Sequence, residues 1–109
     1  MMDVPVIILS GACCNAAFAS IDRRVETRLR QAAEEMGLNL VLKTITLTSA
    51  ALGGLGLGKQ LGEQVHALLQ STGLGALPII FINGKLAFHS GVPDLPSIRK
   101  ALEEYRLDV

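Results

Sequence analysis

The chain contains no tryptophan, one tyrosine and three phenylalanines in 109 residues. Net charge is missing too, because ten Lys and Arg balance ten Asp and Glu. No segment forms a basic stripe. These absences argue against nucleic acid as a main partner. Long apolar runs are also lacking. Those present, Val4 to Leu9 among them, are far too short to cross a bilayer. The opening Met-Met-Asp has no positive n-region, so no secretory signal is visible. With only two cysteines there is no disulfide framework of the secreted kind. The expectation is one domain over residues 1–109, soluble and cytoplasmic, without a membrane partner. Half of its residues are hydrophobic, which is enough for a real core.

What is present orders itself clearly. Val4 to Leu9, largely β-branched, reads as a buried strand that Gly11 ends. Ile21, Val25, Leu29, Ala32, Ala33 and Met36 recur at helical spacing, with Arg23, Arg24, Arg28, Arg30, Glu34 and Glu35 opposite. Asp22 is the expected N-cap of that helix and Gly37 its stop. Leu38 to Leu47 mixes apolar and polar residues as a strand with one face partly exposed. "ALGGLGLG" is a loop by its glycines. Leu61, Val65, Leu68 and Leu69 stripe a second helix ending near Gly73. "PIIFI", Pro78 to Ile82, is a central-strand run, and Asn83-Gly84 a two-residue hairpin turn. Leu86 to His89 is the expected return strand. Asp94 caps a last helix with Leu95, Ile98, Leu102 and Tyr105 on one face, and Pro96 is tolerated in its first turn.

The order is βαβ, then a helix, then a ββ hairpin and a final helix. A right-handed crossover makes the first two strands parallel. The expected α/β fold is a four-stranded mixed sheet, order 2-1-3-4, with helices on both faces.

Both cysteines sit together in "SGACCNAAF" after the first strand. A disulfide between neighbours, Cys13 to Cys14, closes a strained eight-membered ring and is easily reduced. One attacking thiol, or two thiolates gripping a soft ion, fits the pair better. A thiolate close to a helix start is stabilised by the free amides and the dipole. Burial as small hydrophobes is the alternative reading of both.

The order of elements, the cysteines after strand one and the "LP" before strand three resemble the thioredoxin-like superfamily. The strongest local match is Ala76 to Leu102, "ALPIIFINGKLAFHSGVPDLPSIRKAL". The resemblance implies a thioredoxin-like fold, a cis Leu77-Pro78 bond facing the thiols, and backbone at Leu77 and Pro78 that binds extended substrate. It implies thiol-disulfide or monothiol redox chemistry at Cys13 and Cys14, with a disulfide protein or small thiol as partner and no cofactor. "GACC" and "STGLGALP" are also similar to the trans-acting repressor and metallochaperone of arsenical-resistance operons. That resemblance implies Cys13 and Cys14 as ligands of As(III) or another soft metal ion, with a homodimer able to combine thiols. The chain departs from both families. Ala16 stands where Cys-x-x-Cys needs its second cysteine, and Phe18, Ala19 and Ser20 stand where the arsenic family has its third. A scaffold without chemistry is the remaining reading.

Three other features carry less. "GGLGLGKQ", Gly53 to Gln60, nearly spells a phosphate loop, but Gln60 replaces the Ser or Thr that holds magnesium. His66 and His89 have no zinc spacing to a cysteine. The charges of "RRVETRLRQAAEE" read as a solvated helix face.

Overall fold

The computed structural model describes residues 2–11, 16–46 and 58–108. Its elements run β1 (Met2–Ser10), α1 (Ala17–Glu35), β2 (Leu38–Thr46), α2 (Gly58–Thr72), a 3-10 turn (Gly73–Ala76), β3 (Ile79–Ile82), β4 (Lys85–Phe88) and α3 (Leu95–Asp108). The sheet order is β2-β1-β3-β4, as the alternation of elements predicts. β1 and β2 are parallel, with Val4 beside Leu40 and Leu9 beside Ile45. β3 runs antiparallel to β1, Ile8 facing Ile80, and β4 antiparallel to β3.

The period of two in β1 and β3 divides the core. Val4, Val6, Ile8, Ile80 and Ile82 face Val25, Leu29, Ala32 and Ala33 of α1 and Ile98 and Leu102 of α3. Leu9, Ile79 and Phe81 point the other way and cluster with Ile45, Val65, Ala76 and Leu77, and Leu68 and Leu69 of α2 pack against them. Both faces of β3 and of the Ile7–Leu9 end of β1 are covered, so these stretches read as continuous apolar runs rather than alternating ones. Leu61 of the expected α2 stripe has a side chain outside the described set.

Helix ends and turns follow local chemistry, with one exception. Gly37, at φ +69°, stops α1 after Met36. Asp94 caps α3: its Oδ1 accepts the Ser97 N–H at 3.0 Å. Hydrogen bonds from Ser97 hold the Asp94 carboxyl below its ordinary range. The Asn83-Gly84 turn has both residues at positive φ, 51° and 75°, the type I′ form that matches strand twist. This tight turn starts β4 at Lys85, one residue before the expected Leu86, and ends it at Phe88 before His89.

The exception is Asp22. It does not cap α1, which begins five residues earlier behind Ala16, a residue with no side-chain cap bond. Its carboxylate is drawn into a tertiary contact instead, where Oδ2 accepts the Ser10 hydroxyl at the end of β1. Because α1 begins at Ala17, Asp22 lies in its second turn and has no helix start to cap. No described helix is long and apolar enough to cross a membrane.

Candidate functional site

The carboxyl end of β1 is where the thiol segment leaves the sheet. Ser10 there is 1% exposed and is the buried polar residue of the described core. Its partner Asp22 keeps a second oxygen, Oδ1, buried with no hydrogen bond among the described residues. Gly11 follows, also buried. A Cβ at Gly11 would lie 2.9 Å from Leu77 Cδ1 and 3.0 Å from Phe18 Cδ2. Any side chain here would force Leu77 and Phe18 to shift, so glycine lets β1, the first turn of α1 and the approach to β3 converge.

Cys13 and Cys14, the predicted catalytic or metal-ligating pair, lie outside the described residues. The residues on either side of them do not. Gly11 is wedged between Leu77 and Phe18, and Ala16 is the N-cap of a 19-residue helix with no acidic residue in its first turn. That helix start therefore has no side-chain acceptor from its cap and no first-turn carboxylate to offset the dipole.

Leu77-Pro78 is a cis peptide bond, as the family resemblance implies. Leu77 is 3% exposed and Pro78 is fully buried. The Leu77 side chain reaches Gly11, which brings the predicted substrate-binding pair to the end of β1. Just upstream, Ala76 O accepts the Ser90 N–H at 2.8 Å, tying this approach to the exit of β4. The preceding residue, His89, is exposed and its Nδ1 lies 2.8 Å from Ser90 Oγ. His66 is exposed on α2. Among the described residues no three His, Cys, Asp or Glu side chains gather into a metal-holding group. The glycine segment of the near-phosphate loop, residues 53–57, lies outside the described residues.

Ser10 and Asp22 were not readable as site residues. A serine ending an apolar run and an aspartate preceding a helical stripe each have a sufficient local explanation. Only the fold brings them together.

No family model matches the chain, and no curated protein does. A solved structure it is similar to is the crystal structure of the arsenical resistance operon trans-acting repressor from Bacteroides vulgatus ATCC 8482. The two are 16% identical over 96% of this chain and 92% of that one, with a TM-score of 0.47.

Proposed function

We propose that this chain is a thiol protein of thioredoxin-like fold whose Cys13 and Cys14 together capture a thiophilic ion of the As(III) class. The observation that carries the reading is Ala16. It is the position, counted from Cys13, where dithiol exchange needs a resolving cysteine, and it is an exposed methyl group at the cap of α1. Without that second thiol the two-step exchange of a Cys-x-x-Cys protein has no route. The adjacent thiols remain, and bridging them to each other strains the ring. Bridging them through a larger soft atom does not. Each As–S bond forms as a thiol proton leaves with an arsenite hydroxyl as water. The third position is then held by hydroxide or by a small thiol. The dipole at the start of α1 favours the thiolate form that such ligation needs.

The single-thiol redox reading draws on the same helix dipole, since one activated thiolate suffices for attack on a disulfide. Alkylation separates the two. The reduced full-length protein is treated with iodoacetamide at neutral pH, with and without micromolar arsenite. Capture by the pair predicts that arsenite slows alkylation of both thiols, and that Cys13→Ser and Cys14→Ser each abolish the protection. Rapid alkylation that arsenite leaves unchanged would overturn capture in favour of the single nucleophile. Thiols that stay unreactive in the folded chain would leave only the scaffold.

A further inference from the structure

We propose that the outer face of α1 binds a compact oligophosphate, a small ligand with two or more linked phosphate groups, through Arg23, Arg24 and Arg28. The six arginines of the chain fall into two sets. Arg30, Arg99 and Arg106 each meet a carboxylate, that of Glu26 at 3.1 Å, Glu35 at 3.1 Å and Glu103 at 2.6 Å. Arg23, Arg24 and Arg28 have no carboxylate at ion-pair distance among the described residues. Together with Ser20, Thr27 and Gln31 they line one open concavity of about 400 Å³. The mixed charges of "RRVETRLRQAAEE" are thus segregated by the fold rather than interleaved. Glu26 and Glu35 are engaged with other arginines, and Asp22 turns inward to Ser10.

The helix gains nothing from this cluster on its own. Arg24 and Arg28 lie four residues apart on one face, where like charges repel, and Arg23 adds a third. An anion between them turns repulsion into attraction. Arg28 is half-buried, and its Nη1 donates to Pro93 O at 3.0 Å, so one guanidinium is already held in place. Arg23 and Arg24 are exposed and can close on a ligand beside it. The lining decides the occupant's chemistry. Its six residues are all polar, and none is acidic. With no apolar or aromatic anchor, a peptide finds no hot spot and a base no stacking surface. Planar guanidiniums match phosphate oxygens, which they bind through paired hydrogen bonds. One phosphate group brings only about −1.5 to −2 of charge, so three guanidiniums match two linked groups better than one. The site uses neither Cys13 nor Cys14 and stands apart from the thiol reading.

An amide-resolved NMR titration of the reduced full-length chain with inorganic pyrophosphate at low salt tests this. The expected result is saturable one-to-one binding, with shifts centred on residues 20–31, that weakens as salt rises. Arg23→Gln and Arg24→Gln put a residue of similar helix propensity at exposed sites, and each is expected to weaken binding about five- to tenfold. Arg24→Lys keeps the charge but loses the planar fork, and should weaken it about two- to fivefold. Arg30→Gln removes the same charge from the same helix outside the concavity, and should change binding by less than about twofold. Titration with ADP then names the source: tighter binding than pyrophosphate identifies a nucleotide, and binding no tighter identifies the inorganic chain. Absence of saturation would overturn the proposal. So would monophosphate binding as tightly as pyrophosphate, or an Arg30→Gln effect equal to that of Arg24→Gln, either of which would mean general attraction of anions. A single-stranded oligonucleotide bound more tightly than either diphosphate would overturn it in favour of a nucleic-acid backbone.

Discussion

Gly11 shows how one residue can let three elements converge. It has no unusual backbone conformation to serve. It is glycine because Leu77 Cδ1 and Phe18 Cδ2 occupy the space a Cβ would take. Leu77 cannot easily swing away, since it belongs to the buried cluster beneath α2. Gly11→Ala is therefore expected to destabilise the fold by about 1–3 kcal/mol, as overpacking of a filled site does. Urea unfolding followed by circular dichroism measures it. A change under about 0.5 kcal/mol would mean that the convergence at the end of β1 is loose. Asp22 shows the limit of local reading at the same scale. Its carboxylate has the right sequence context for a cap, and nothing nearby in sequence reveals that Ser10, twelve residues earlier, takes it instead.

At the scale of elements the sequence was most legible where the constraint was local. Ile79–Ile82 reads as a fully covered strand because four consecutive apolar residues cannot alternate, and all four are buried. Asn83-Gly84 announces its own turn type. The stripe Val25, Leu29, Ala32, Ala33 predicts the face α1 buries. What was not legible was the start of α1. Phe18 is in step with Ile21 and Val25, but the expected cap at Asp22 hides it, and Ala16 marks the true start with no side-chain cap bond. The thiol pair lies outside the described residues, and the sequence did not reveal that Leu77 and Phe18 converge on Gly11. The hairpin offers the sharpest test at this scale. Gly84 sits at φ +75°, with nothing within 4 Å of where its Cβ would lie. A substitution there therefore meets backbone strain alone, free of packing effects. Gly84→Ala is expected to cost about 1 kcal/mol, within the range for placing an L-residue in the left-handed region. Thermal or urea unfolding reads it, and a neutral result would show that the turn relaxes to another type.

Across the whole molecule, β1 and β3 are shared property. Alternate residues of the same two strands build both apolar clusters, so neither face can be dismantled without displacing the backbone that supports the other. Val6 and Ile8 bind the α1–α3 side, while Ile7 between them and Leu9 beyond them bind the α2 side. The two clusters should then unfold as one unit rather than in sequence. Leu29→Ala probes the α1 side and Phe81→Leu the α2 side, both residues being fully buried. Deleting Leu29 beyond Cβ is expected to cost about 2–5 kcal/mol. Both variants should lower the urea midpoint without altering the slope, because the surface exposed on unfolding stays the same. Far-UV circular dichroism follows all the helices. The fluorescence of Tyr105, the single tyrosine, follows α3, where its hydroxyl donates to Asp3 O at 2.7 Å. Coincident transitions by the two probes in both variants are the expected outcome. A Phe81→Leu protein that lost helix signal before Tyr105 fluorescence changed would show that α2 detaches alone. The sheet would then transmit less between its faces than the alternation of Leu9 and Ile8 implies.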